Sequence, residues 1–297
     1  MRFDKPPLTL EQQADLLLAR GLLAEREVLL RRLSTVNYYR LSTYLYPFRN
    51  ADHMFRKDTT LELVWQRYSF DRRLRLIVLD AVERIEVAVR TRIAYVVAQE
   101  HGPFAYDSPL FLPEISLDTY TKWFLEIREE IDRSHEPFIH HFRLKYGEDH
   151  CIPPIWMAVE VMSFGKMLTL YRGIDRKLKK QIASHYNVSD TVFLSWLVSI
   201  NHVRNICAHH GRLIGRPLNL QPKIPREQKY PDWHEPVKIQ RDQLFSILTI
   251  LRYILSADDQ AASWSNALFE LLLDSQNIPL EVIGFPANWD RSRLWIQ

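Results

Sequence analysis

Four residues of types that can bind a phosphate or transfer a proton lie close together between Asp190 and Gly215, namely Arg204, Asn205, His209 and His210. An imidazole, whose ordinary pKa is about 6.5, can accept or donate a proton near neutral pH. A fixed guanidinium can hold a phosphate and neutralise the charge that develops on its non-bridging oxygens. Cleavage of RNA without a metal needs a base for the 2′-hydroxyl proton, an acid for the leaving 5′-oxygen and a cation at the phosphate. The segment is therefore a candidate phosphodiester site.

The same segment has the apolar pattern of an amphipathic helix. Its apolar residues fall on one face at about 100° per residue: Phe193, Trp196, Leu197, Ile200, Val203 and Cys207. Arg204 falls within this face, where a guanidinium is costly unless a carboxylate or a phosphate meets it. Arg204 and His209 are five residues apart, or about 140° around an ideal helix. They converge only if the helix breaks near Ala208 or if two chains contribute to one site, and we favour a site assembled by a dimer.

Three carboxylates are candidate partners for Arg204. Glu160 stands alone in an apolar stretch, so we expect it to be buried and either to pair with Arg204 or to have a raised pKa. Glu83 and Glu86 are rival partners in a predicted long helix. The alternative interpretation of Glu83 and Glu86 is that they lie on a solvated helix face, where Glu86 pairs with Arg90 four residues later. We take Glu160 as the first candidate.

Each candidate site residue also has a plain structural interpretation. Arg204 could be a structural arginine that forms an ion pair inside a helical bundle, and His209 could be a helix-terminal residue that the dipole favours. Asn205 could cap the helix end instead of orienting His209 or a phosphate, and His210 could simply face solvent. Cys207 is expected to be a small buried apolar residue.

Metal binding has little support in the sequence. His202, Cys207, His209 and His210 are ligand types, but Cys207 points away from His209 on a helix, and no C-x-x-C or H-E-x-x-H spacing occurs. No glycine-rich phosphate loop is present, which leaves nucleotide hydrolysis without support. We predict that the site needs no metal and no other cofactor.

The elements that position these residues are predicted to be helices. Only 8 glycines occur in 297 residues, too few for the tight turns of a strand-rich fold. Between Pro47 and Gly102 there is no glycine or proline, and apolar residues recur at steps of three and four. This pattern predicts one long helix, with Thr59 and Glu62 as a capping box near its start.

Other segments show similar periodicity and cap signals, such as Thr9 with Gln12 before a run that Gly21 ends. The predicted helices cover residues 9–20, 24–33, 117–146 with an interruption at Pro137, 154–171, 175–186, 190 to about 210, 240–256 and 258–274. Five prolines between Pro217 and Pro236 predict an extended connector. The predicted fold class is therefore all-α.

Composition excludes several classes of protein. With 39 Lys and Arg against 36 Asp and Glu, the chain is not a polybasic tail protein. Two cysteines cannot form a disulfide framework, which favours a reducing cytosol. The first ten residues lack the apolar core of a secretory signal, and no apolar run approaches the roughly 20 residues that cross a bilayer. We expect a cytoplasmic protein without membrane contact.

An aromatic segment near the N-terminus is a second candidate for contact with RNA. It contains Asn37, Tyr38, Tyr39, Arg40 and Arg49. Such rings can stack on unpaired bases. The alternative is that these aromatic residues pack between helices.

Four segments carry a resemblance to a known family. They are Val36–Arg49, Glu83–Glu86, Glu160–Gly165, and Arg204–His209 with the following His210-Gly211-Arg212-Leu213. The last segment fits the R-x4-6-H motif of ribonucleases of the HEPN superfamily, in the form R-N-x-x-A-H. Together the segments resemble the Abi-like (abortive infection, AbiD/AbiF type) family of bacterial phage-defence proteins.

The resemblance implies an all-α, HEPN-like helical bundle with additional N- and C-terminal helices. We place one domain over 1–297, with a HEPN-like core at about 60–256 and an N-terminal helical extension at 1–58. The resemblance also implies a metal-independent endoribonuclease that acts as an abortive-infection toxin and leaves 2′,3′-cyclic phosphate ends. His209 would be the general base or acid, Arg204 would stabilise the transition state, and Asn205 and His210 would position them. Arg212 would contact RNA.

One departure from related proteins bears on assembly. RNA-targeting CRISPR effectors of the superfamily carry two motifs per chain, whereas this chain has one convincing copy, because the match from Arg143 to His150 contains Gly147 and leads into two prolines. A single copy favours a homodimer. The alternative function is a non-catalytic RNA-binding or regulatory partner in a defence system, with an antitoxin or a non-coding RNA as a further candidate partner. A purely structural interaction protein is a third interpretation.

Overall fold

The computed structural model describes residues 6–296 and contains thirteen α-helices and no β-strand within them. The helices are α1 (Leu10–Ala19), α2 (Arg26–Thr35), α3 (Tyr38–Leu45), α4 (Leu61–His101), α5 (Leu117–Arg133), α6 (Pro137–Tyr146), α7 (Ile155–Val161), α8 (Phe164–Gly173), α9 (Arg176–His185), α10 (Asp190–Ala208), α11 (Leu244–Ser256), α12 (Ala261–Leu273) and α13 (Leu280–Ile283). The predicted all-α class is confirmed. None of these helices is both long and apolar enough to cross a membrane within residues 6–296.

The chain forms two compact units. The first comprises residues 6–76 with Phe269–Pro279, and the second comprises Ile77–Leu268 with residues 280–296. The first unit extends into α4 as far as Leu76, whereas the predicted N-terminal extension ends at residue 58. The predicted single domain over 1–297 stays a prediction.

The first unit begins with a helix that its sequence caps as predicted. The Thr9 side chain accepts a hydrogen bond from the Gln12 N–H, and the Gln12 side chain accepts one from the Thr9 N–H. The helix stops at Gly21, whose φ of +90° suits glycine. α1 packs against α2, and Leu17 and Leu29 are fully buried in this core.

The predicted cap of α4 is wrong by one residue. The Thr60 hydroxyl accepts from the Leu63 N–H at 3.1 Å, so Thr60 caps the helix. Thr59 is buried, and its hydroxyl donates to the Arg56 carbonyl at 2.7 Å. This hydrogen bond holds the Thr59 hydroxyl in the preceding turn, so the hydroxyl does not cap the helix.

The core of the second unit surrounds α10. The apolar face predicted for this helix is buried, including Phe193, Trp196, Leu197, Ile200 and Val203. α10 packs against α8, α9 and α11. The helix that carries the candidate site is therefore held on several sides, and only its remaining faces are available for a ligand.

Two of the predicted helical segments contain a break, and only the first of these breaks was predicted. α5 and α6 are separate, and Pro137 begins α6 as predicted. The single helix predicted over residues 154–171 is wrong, because α7 ends at Val161 and α8 begins at Phe164. Met162 and Ser163 have extended backbone, and the Ser163 N–H donates to the Glu130 carboxylate at 3.1 Å. This partner from α5 replaces the helical hydrogen bond.

The proline-rich connector has no α-helix between Pro217 and Pro236, as predicted, and only one short 3₁₀ turn at Pro231–Trp233. It nevertheless carries part of the core, because Trp233 is 1% exposed. Its ring packs against Trp196 at 5.1 Å and Tyr253 at 5.3 Å between centroids.

Candidate active site at the end of α10

The end of α10 is a tight left-handed turn. The helix stops at Ala208, and His209 is its C-cap residue. The His210 N–H donates to the Cys207 carbonyl at 2.9 Å, and the Gly211 N–H donates to the Ile206 carbonyl at 2.7 Å. These two bonds satisfy carbonyls that a helix end would otherwise leave without a partner. The helix therefore ends at Ala208, about two residues before the predicted end, where one of the two alternatives for the site placed a break.

Histidine occupies the left-handed position of this turn. His210 has φ of +57°, a conformation that helix ends usually give to glycine. The adjacent Gly211 has no freedom to accept a side chain, since a Cβ there would lie 2.9 Å from Cγ2 of Ile206. Four other non-glycine residues within residues 6–296 also have positive φ, so this conformation describes the geometry of the turn and does not by itself indicate a function.

Arg204 and Asn205 are joined to each other. The Arg204 Nη1 donates to the Asn205 Oδ1 at 3.3 Å. Asn205 and His209 are both exposed, and Arg204 is half-buried. Asn205 thus holds the guanidinium of Arg204, whereas the sequence predicted that it caps the helix end or orients His209 or a phosphate.

Arg204 lines an open pocket of about 380 Å³ between α4 and α10. The other lining residues are Leu79, Val82, Glu83, Glu86, Val87 and Arg90. Glu86 forms an ion pair with Arg90, and Arg90 also donates to the Met162 carbonyl at 2.7 Å. Burial raises the pKa of Glu86 above its usual value, and the charges of Arg90 and Arg204 oppose this rise without cancelling it.

The acids that share a pocket with Arg204 do not include the first candidate. Glu160 is exposed, which contradicts its expected burial, and no ion pair joins it to Arg204 within residues 6–296. Glu160 follows the buried Ala158 and Val159 on a short helix, and its side chain faces solvent. Glu86 shares the pocket with Arg204 and also forms the predicted pair with Arg90. Glu83 lines the pocket and is exposed.

Arg204 and His209 lie on different sides of the helix end. Arg204 faces the pocket against α4, whereas His209 is exposed at the C-cap. No hydrogen bond joins the two side chains within the described part of the chain. Cys207 between them is buried at 1% exposure, as expected. Arg212 is half-buried in the segment that follows the turn.

The aromatic segment of the first unit divides into fixed and exposed rings. The Asn37 side chain caps α3 by accepting from the Tyr39 N–H at 2.8 Å, and the Tyr38 hydroxyl accepts from Arg20 at 3.3 Å. Tyr39 is 72% exposed. Arg40 and Arg49 are half-buried. Tyr39 is therefore the ring of this segment best placed to stack on a base.

Among residues 6–296 no group of three or more His, Cys, Asp or Glu residues could hold a metal ion.

The family model of Abi-like proteins matches residues 31–215. The chain belongs to the Abi-like protein family. Membership of this family suggests a function in abortive infection. Comparison with curated proteins and with solved structures gives no match.

Three segments on which the resemblance to Abi-like proteins rests meet in the second unit. Glu86 belongs to one, Met162 to another and Arg204 to the third. Arg90 links them, because it pairs with Glu86 and donates to the Met162 carbonyl beside the pocket of Arg204. The sequence showed the spacing of Glu86 and Arg90, but it carried no signal for the carbonyl that Arg90 binds.

Proposed function

We propose that this Abi-like protein is a HEPN-type, metal-independent endoribonuclease that acts as an abortive-infection toxin. The observation that carries the proposal is the end of α10, where an arginine that Asn205 holds in an open pocket precedes two exposed histidines. The arginine supplies the cation and the histidines supply the proton-transfer groups that metal-free phosphodiester cleavage requires.

The chemistry follows from the residue types. One imidazole takes the proton of a 2′-hydroxyl, and the resulting oxygen attacks the adjacent phosphorus. The bond between phosphorus and the 5′-oxygen breaks, and a general acid donates a proton to this oxygen. The products are a 2′,3′-cyclic phosphate and a 5′-hydroxyl. Arg204, oriented by Asn205, neutralises the charge that develops on the non-bridging oxygens.

The site is proposed to be completed by a second copy of the chain. Within one chain Arg204 and His209 face different directions, and each chain has one convincing motif. The pocket around Arg204 is open and partly apolar, and Val87 at its edge is 46% exposed. A homodimer would cover this apolar surface and bring the His209 of one copy to the phosphate held by the Arg204 of the other.

The direct test is cleavage of mixed cellular RNA in the presence of EDTA, followed by identification of the product ends. The proposal expects chelator-resistant cleavage with 2′,3′-cyclic phosphate and 5′-hydroxyl ends. Cleavage that EDTA abolishes, or products with 3′-hydroxyl ends, would contradict it. A gel shift of RNA with no cleavage would instead favour the non-catalytic RNA-binding partner.

The shared site predicts complementation between two inactive variants. Arg204→Ala and His209→Ala are each expected to be inactive alone. If each site takes Arg204 from one protomer and His209 from the other, a mixed dimer keeps one intact site of two. An equimolar, re-equilibrated mixture should then recover about one quarter of wild-type activity. Light scattering checks that both variants remain dimers, and a mixture that stays inactive would place Arg204 and His209 of one site in the same chain.

A further inference from the structure

A groove lies on the opposite side of α10 from the pocket of Arg204. It has a volume of about 470 Å³ and runs between α10, the C-terminal end of α8 and the connector. Three cations line it, Arg172, Lys223 and Arg241, and no carboxylate does. Its remaining lining includes hydroxyl and amide side chains such as Thr191 and Asn219. The groove thus offers cations and neutral hydrogen-bonding groups together.

The three cations are left without acidic partners. Arg172, Lys223 and Arg241 are exposed, and none of them forms an ion pair within residues 6–296. The neighbouring basic helix α9 differs, because Lys177 pairs with Glu100 and Lys179 with Glu114. The positive charge of the groove is therefore available to an anion.

The wall of the groove is held in place by hydrogen bonds. The Lys223 N–H donates to the Ser195 hydroxyl at 2.9 Å, and the Trp196 Nε1 donates to the Lys223 carbonyl at 2.8 Å. The Arg241 Nε donates to the Pro222 carbonyl at 2.8 Å, which fixes the guanidinium over the connector. A surface ordered in this way loses little conformational entropy when a ligand binds.

The face of α10 that lines the groove continues toward the candidate active site. Thr191 and Val198 line it, and Asn205 lies seven residues beyond Val198. Ser195 also lines it, with His202 seven residues later and the cap residue His209 seven further. Residues seven apart on a helix differ by only about 20° in direction. From Ser195 to His209 the helix rises by about 21 Å, the length of several nucleotides.

We propose that this groove binds the phosphodiester backbone of a single RNA strand and leads it to His209. The proposal rests on the proposed function for the identity of the nucleic acid. Arg172, Lys223 and Arg241 neutralise successive phosphates, and the hydroxyl and amide groups bind phosphate and sugar oxygens. Contacts of the three cations with phosphates carry no sequence information, so these contacts fix the position of the strand and not its sequence.

The test measures binding of a fluorescent 12-nucleotide RNA whose 2′-hydroxyls are methylated, so that the strand cannot be cleaved. The variant combines Arg172→Gln, Lys223→Gln and Arg241→Gln. It should bind at least about tenfold more weakly than wild type, and its salt dependence should be shallower by about 2 in log K against log salt, because each phosphate contact on a single strand contributes about 0.7.

The matched control removes the same charge elsewhere in the second unit, with Lys122→Gln, Lys145→Gln and Lys180→Gln on exposed helix faces. It should retain near wild-type affinity, and Arg172→Lys with Arg241→Lys should retain the salt dependence. Thermal unfolding verifies that each variant is folded. Equal affinity of wild type and the groove variant, or no RNA binding by wild type, would overturn the groove. Groove-dependent binding by a protein that cleaves no RNA would support the groove and overturn the proposed function.

Discussion

Replacing His209 with alanine is expected to lower the rate of RNA cleavage by a factor of about 10²–10⁴, the usual contribution of one general acid or base. His209 is exposed at the end of α10, so its imidazole can reach a substrate without rearrangement of the core. The hydrogen bond that it makes to the Asn205 carbonyl uses its backbone N–H and survives the substitution. Initial rates on labelled single-stranded RNA in EDTA measure the loss.

Two further variants separate catalysis from a general loss of charge or structure. His141→Ala removes an exposed histidine from α6 and should change the rate by no more than about twofold. His209→Asn keeps a polar side chain at the helix end but cannot transfer a proton near neutral pH, so it should be as inactive as His209→Ala. Full activity of His209→Ala in a folded protein would remove His209 from the mechanism.

The helices could be predicted wherever their signals are local. The capping box of Thr9 and Gln12 and the proline at the start of α6 act within one turn of chain, and both are present as predicted. The break between α7 and α8 depends on a carboxylate from α5, which the Ser163 N–H binds. Single-sequence periodicity has no access to such a partner, so the two helices were predicted as one.

In the candidate site, too, features with local signals could be predicted, and features that depend on packing between distant segments could not. The end of α10 could be predicted to within about two residues, at about 210 against the observed Ala208, because Gly211 disfavours continuation of the helix. The acid beside Arg204 could not, because that choice depends on which face of α4 packs near α10. Glu160 looked isolated in an apolar stretch, yet it is exposed, while Glu86 on the more polar α4 is held in the pocket by Arg90.

Replacing Asp71 with alanine is expected to lower the free energy of unfolding by about 3–5 kcal/mol. Asp71 is fully buried in the first unit, where it forms an ion pair with Arg75 and accepts a hydrogen bond from the Tyr44 hydroxyl at 2.6 Å. Burial and the charge of Asp71 raise the pKa of Tyr44, which therefore remains a protonated donor. Removal of the carboxylate leaves the charge of Arg75 buried without it. Urea unfolding followed by circular dichroism measures the difference.

The same helix supplies the control for this prediction. Asp80 and Arg84 form an aspartate–arginine pair at the same spacing on α4, but Asp80 is 46% exposed. Asp80→Ala should cost at most about 1 kcal/mol, because water screens an exposed pair. Asp71→Leu combined with Arg75→Met and Tyr44→Phe should recover much of the stability lost in Asp71→Ala, since this triple variant removes the buried ion pair together with the hydroxyl that donates to it. Equal losses of unfolding free energy in Asp71→Ala and Asp80→Ala would contradict this prediction, because burial would then not strengthen the pair of Asp71 and Arg75.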